Sequence, residues 1–182
     1  MSQKSAACAI ALFRRGIPPQ FSGQTIFIQT QNRFSSLNDV EDARCLFDDM
    51  VKMRPLPSVF KFTKLLGVVV KMKHYSVALS LFDKMRKLGV PVDEITMSIA
   101  INCYCLLNRV DFGFAVLGTF FKRGCEPDVT TFTTLIKGLF LVGEVAEAKK
   151  LFKKLLSEKL CEPNEVMFLT VLNGLCKAGH TL

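Results

Sequence analysis

The chain has 182 residues, 49% of them hydrophobic, and carries 24 Lys+Arg against 16 Asp+Glu for a formal net charge of +8. Its mean hydropathy of +0.29 supplies enough apolar surface for a packed core and excludes a chain that is disordered by composition. The apolar run Leu65–Val70 is stopped by Lys71, and no run reaches the roughly 18–20 residues of a membrane-spanning helix. The basic balance favours a polyanionic partner.

Residues 1–38 contain no acidic residue, whereas Lys4, Arg14, Arg15 and Arg33 are basic. An acid-poor, Arg- and Ser-containing stretch with the apolar-basic patch Ile10-Ala11-Leu12-Phe13-Arg14-Arg15 reads as an organellar transit peptide over 1–34. The segment Asn32-Arg33-Phe34-Ser35-Ser36 resembles the matrix-processing site of mitochondrial precursors and places a mature N-terminus near Ser35. Mitochondrion is the expected compartment, with plastid as the alternative, because the two signals share composition. Four of the 24 basic residues fall in this stretch, which leaves 20 against 16, so any affinity for nucleic acid must rest on placed residues.

The rest of the chain repeats. Pro57-Ser58, Val92-Asp93, Pro127-Asp128 and Pro163-Asn164 recur at steps of 35, 35 and 36 residues. Within that frame Phe62-Thr-Lys-Leu65-Leu66 matches Met97-Ser-Ile-Ala100-Ile101, Phe132-Thr-Thr-Leu135-Ile136 and Phe168-Leu-Thr-Val171-Leu172. A second pattern returns at Ala43–Met50, Ala78–Met85 and Ala148–Leu155. In chain order the units are a degenerate partial repeat over 35–58 with its second helix at 40–52, full repeats over 59–93, 94–128 and 129–164, and a first helix over 165–182. The stretch 24–37 is too polar to complete the first of these.

Each half-unit has a helical period. Phe132, Leu135, Ile136 and Leu139 form one stripe, and Val145, Ala148, Leu151, Phe152 and Leu155 another. Gly143 is a natural stop for the first helix. Gly89 and Gly124, each followed by Pro and Asp, end the second. Two helices of this size cannot bury their apolar faces alone, so neighbours must stack. The expected fold is all-α, an α-solenoid of antiparallel helix pairs with a ~35-residue repeat.

Phe132-Thr-Thr-Leu-Ile-Lys-Gly-Leu and Asn173-Gly-Leu-Cys-Lys-Ala-Gly resemble the pentatricopeptide repeat across residues 40–182. In finer detail, Arg54-Pro-Leu-Pro-Ser58 and Ile101-Asn-Cys-Tyr-Cys105 look like the P-class, restorer-of-fertility-like subgroup. The tetratricopeptide alternative has a 34-residue period and begins with Trp, which this chain lacks. The resemblance implies a non-catalytic protein that binds single-stranded organellar RNA, one base per repeat, and supports transcript processing or stability. It implies that the fifth and last residues of a unit select the base. Thr63 with Asp93 then prefers G, Ser98 with Asp128 prefers G, and Thr133 with Asn164 prefers A, for a core GGA. The second residues Phe60, Ile95 and Thr130 would sandwich the bases. Considered singly, Asp93, Asp128 and Asn164 read as helix caps; taken together at the family's positions they read as RNA contacts. The second and fifth residues are expected on one side of the first helix, opposite the core stripe. Leu169 departs from the pattern at its fifth place.

Lys71, Lys137 and Lys177 are candidates to reach phosphates, while Lys149, Lys150, Lys153 and Lys154 read as the outer face of a second helix. The seven cysteines include no C-x-x-C pair, and His74 and His180 stand apart, so neither a zinc site nor any other cofactor is expected. The cysteines read as buried thiols in a reducing compartment. No catalytic motif is present. The rival reading is a protein-interaction scaffold, pairing with other RNA-processing proteins or self-associating through exposed ends. The last helix, with Phe168, Val171, Leu172 and Leu175 on its apolar face, gives the expectation of a shortened copy of a longer array.

Overall fold

In the computed structural model of the chain, residues 39–179 and Leu37 are described. The expected transit peptide at 1–34, the processing point near Ser35, most of the polar stretch 24–37, Cys8 and His180 lie outside the described residues. Among the described residues are eight helices and no strand: α1 (Val40–Lys52), α2 (Val59–Lys71), α3 (Tyr75–Lys87), α4 (Glu94–Leu106), α5 (Val110–Lys122), α6 (Val129–Leu141), α7 (Val145–Ser157) and α8 (Glu165–Lys177). Each is 13 residues long, about 20 Å at the α-helical rise, so the elements are interchangeable in length. The fold is an all-α helical repeat.

The chain divides into two compact units, residues 1–65 and 66–182, with the boundary inside α2. In the first, α1 buries Ala43, Leu46, Phe47 and Met50, the i, i+3, i+4, i+7 stripe of an amphipathic helix. Asp39 caps it by accepting from the Asp42 N–H, and Phe47 meets Phe62 edge to face at 5.6 Å.

In the second unit α4 packs on α3, α5 and α6, whereas α6 packs on α4, α5, α7 and α8. The first helices α4, α6 and α8 therefore stand side by side, and α5 and α7 each contact two of them. Phe132, Leu135, Ile136 and Leu139 are all buried, as the stripe requires. In α7 only Ala148 and Leu155 are buried; Val145, Leu151 and Phe152 are half-exposed. On α8, Met167 and Val171 are buried, and Phe168 meets Phe152 edge to face at 5.7 Å. Val166, Leu169 and Leu172 are exposed.

Close approach within the first-helix row depends on glycine. A Cβ on Gly138 of α6 would sit 2.5 Å from the Cys105 sulfur of α4, and one on Gly174 of α8 would strike the Phe140 ring of α6. The sequence reading gave these glycines no role.

Helix ends follow one scheme. Gly89, Gly124 and Gly143 take positive φ, and so do Lys73, Asn108 and Lys159. After each, the next residue donates its N–H to the carbonyl five residues back, as in Arg109 to Tyr104 at 2.8 Å and Val90 to Met85 at 2.9 Å. The stops at Lys73, Asn108 and Lys159 were not foreseen: asparagine is a known substitute for glycine in the left-handed region, whereas nothing in a lysine side chain marks such a residue. Of the six described cysteines, all free, only Cys103 and Cys105 are buried, which corrects the expectation that the cysteines as a set are core thiols.

Candidate nucleic-acid interface

Asp93, Asp128 and Asn164 precede α4, α6 and α8 in extended backbone conformation. In each case Oδ1 accepts from the N–H of the third helical residue: Thr96 at 2.8 Å, Thr131 at 2.8 Å and Met167 at 3.0 Å. These are N-caps, the role each residue suits when taken alone. Capping also fixes which atom is left to face outward. Asp128 is exposed, and with Oδ1 in the cap it presents Oδ2, an acceptor. In Asn164 the cap requires the amide oxygen, so the atom presented is Nδ2, a donor.

The second residues of the first helices are open: Phe60 is 69% exposed, Ile95 62%, and Thr130 is exposed as well. The fifth residues do not share that face. Thr63 is only 7% exposed, and Ser98 and Thr133 are half-buried, contrary to the expectation that both positions lie opposite the core. The cause is helical geometry, since the fifth residue follows directly on the fourth (Phe62, Met97, Phe132), which is core, and so falls at the seam.

At that seam every fifth-place hydroxyl commits its proton to the protein. Thr63 donates to the Val59 carbonyl at 3.0 Å and Thr133 to the Val129 carbonyl at 2.7 Å. Ser98 reaches the next repeat instead, with Oγ 2.9 Å from Thr131 Oγ1. Thr131 gives its own proton to Asp128 Oδ1 at 2.7 Å, which leaves Ser98 as the donor between the two hydroxyls. The outward chemistry is therefore acceptor plus acceptor at Ser98 and Asp128, and acceptor plus donor at Thr133 and Asn164.

The family models described as "PPR repeat family" and "PPR repeat" match residues 57–106 and 123–155. A mitochondrial pentatricopeptide repeat-containing protein of Arabidopsis thaliana is 41% identical over 108 residues, 59% of this chain and 18% of that protein. The chain belongs to the pentatricopeptide repeat family. Protein Rf1 of Oryza sativa subsp. indica, also mitochondrial, is 32% identical over 127 residues, 68% of this chain and 16% of its own length. The chain thus spans less than a fifth of these relatives. Two solved structures share the fold: pentatricopeptide repeat protein PPR10 in complex with an 18-nucleotide psaJ RNA, and the pentatricopeptide repeat domain of Arabidopsis thaliana protein-only RNase P 1 in complex with tRNA. The first has a TM-score of 0.65 at 19% identity, covering 93% of this chain and 24% of that one. The second has 0.68 at 17%, covering 87% and 83%.

Lys71, Lys137 and Lys177 are exposed, and the last two line a groove of about 490 Å³ with Thr170 and Asn173. Lys149, Lys150, Lys153 and Lys154 are exposed along α7, where the outer face was expected. Among the described residues no group of His, Cys, Asp or Glu is placed to hold a metal ion, and no helix is long and apolar enough to cross a membrane. Sequence reasoning missed Thr96 and Thr131, the buried third residues whose hydroxyls bond the capping carboxylates. Their signal is a Thr three residues after an Asp cap, at 93/96 and 128/131.

Proposed function

We propose that the chain binds single-stranded RNA in a mitochondrion, one base per repeat with a core GGA, in support of transcript processing or stability. The observation that carries this is the polarity of the paired fifth and last residues. Guanine is the base with two adjacent donors, N1–H and N2–H, on its Watson–Crick edge, and it complements the two acceptors of Ser98 and Asp128. Adenine offers the N6 donor beside the N1 acceptor, the complement of Thr133 and Asn164; cytosine shares that polarity, and the family resemblance selects adenine. The open Ile95 and Thr130 flank this row as surfaces for the base faces. The compartment and the RNA ligand are supported by the relatives, which are mitochondrial proteins, and by the fold shared with an RNA-bound repeat protein.

Fluorescence anisotropy with labelled single-stranded RNA tests the reading. GGA-containing RNA should bind more tightly than RNA altered at the middle base, and Asp128→Asn should move the middle-base preference from G toward A or C. The exposed Val166, Leu169 and Leu172 favour a second reading, a self-associating interaction module. Equal binding to all sequences, together with concentration-dependent light scattering, would establish that reading instead.

A further inference from the structure

The Ser98–Thr131–Asp128 chain joins the two base-facing residues of one repeat through a side chain that faces no base. We propose that Thr131 is a positioning residue for base recognition at the second full repeat. The inference rests on the RNA-binding reading above. Thr131 is 1% exposed, too buried to touch a ligand. Its hydroxyl accepts from Ser98 Oγ across the repeat junction and donates to Asp128 Oδ1, which also receives the Thr131 N–H.

Three consequences follow from that arrangement. The Ser98 proton is held inward, so Ser98 meets a base only as an acceptor. The Asp128 carboxylate is held by two donors on the same oxygen, so Oδ2 has one orientation. The two acceptors are also fixed relative to each other, although they belong to residues 30 positions apart on different helices' ends. Without the hydroxyl, Ser98 could turn its proton outward and offer a donor, and the pair would no longer distinguish two adjacent donors from a donor beside an acceptor.

The next junction supplies an internal contrast. The place of Thr131 is taken there by Met167, buried and without a hydroxyl, and Thr133 gives its proton to its own helix. Recognition at the third full repeat therefore does not depend on a relay, and a change at Thr131 should leave it unaffected.

The test measures base discrimination by the full chain at each position, using anisotropy with RNAs that differ only at the middle or the third base. Thr131→Val keeps shape and removes the hydroxyl, whereas Thr131→Ser keeps the hydroxyl. Circular dichroism checks that each variant folds. The expected result is that Thr131→Val lowers the preference for G at the middle base about tenfold, leaves third-base preference unchanged, and is rescued by Thr131→Ser. A double-mutant cycle with Ser98→Ala adds a measure that does not depend on Thr131→Val alone. The relay requires coupled effects on middle-base preference, and additive effects overturn it. A uniform loss of affinity at unchanged preference would mean that Thr131 is only structural. Absence of any base preference in the unaltered chain would overturn the RNA-binding reading and this inference together, while preference that survives Thr131→Val overturns this inference alone.

Discussion

Asp128 Oδ1 lies in the cap of α6 and Oδ2 outside it, so its two roles can be separated by substitution. Asparagine keeps a capping oxygen and alanine does not. Asp128→Asn should unfold within a few tenths of a kcal/mol of the parent, and Asp128→Ala about 1 kcal/mol lower, in urea titrations. A change of base preference in Asp128→Asn, at near-parent stability, is recognition rather than stability. At Cys103 and Cys105 the question is pH. Burial pushes the Cys103 thiol up from 9.0 to about 12 and the Cys105 thiol to about 11. The folded chain thus holds protons that the unfolded chain releases above pH 9. The stability these thiols contribute is complete below that pH and is lost as pH rises toward their folded values. Cys103→Ala should flatten the decline, seen by comparing urea midpoints at about pH 8 and about pH 10. At neutral pH iodoacetamide should modify the exposed Cys176 well before either buried thiol.

Among the elements, the glycines of the helices differ in what surrounds them. Gly138 meets the Cys105 sulfur and side chain, whereas Gly118 in α5 has nothing within 4 Å of where a Cβ would lie. Gly138→Ala should therefore cost about 1–3 kcal/mol through overpacking, and Gly118→Ala should add about 0.5–1 kcal/mol through helix propensity. Thermal unfolding of the two variants should move in opposite directions. The same contrast shows what the sequence discloses. Apolar stripes, cap residues and glycine stops are local, and α4, α6 and α8 begin at Glu94, Val129 and Glu165, each directly after the Asp or Asn that marks the period. The Ser98–Thr131 bond joins residues 33 apart, and the Gly138 notch depends on a sulfur from another helix, so neither leaves a local pattern. The depth of Thr63 was misjudged for a related reason: a helical wheel gives direction around one axis but not the position of the neighbouring helix.

For the molecule as a whole, the proposed reading of three bases at about 1–3 kcal/mol each would lie within the range of ordering costs, so the proposal requires contacts to phosphate for affinity. The charge available for them is divided between helix layers. Lys137 lies on α6, in the first-helix row, while Lys149 and Lys153 lie on the exposed side of α7. At physiological salt, charges more than about 8 Å from the RNA are screened. Lys137→Glu should weaken binding several-fold, whereas Lys149→Glu combined with Lys153→Glu should change it by less than about twofold, both read by anisotropy at fixed salt.

The glycine notches also bear on how freely the units can be rearranged. Where α6 and α8 carry Gly138 and Gly174, α4 carries Cys103 at the equivalent place, and Cys105 and Phe140 are the groups received by the notches. Moving the 94–128 repeat to follow the 129–164 repeat would set the Phe140 ring against a cysteine side chain where it now meets bare backbone. The units are alike in length and cap chemistry but not interchangeable in order. Under the proposed RNA reading, single substitutions at the facing residues are consequently a safer way to alter base preference than shuffling whole repeats.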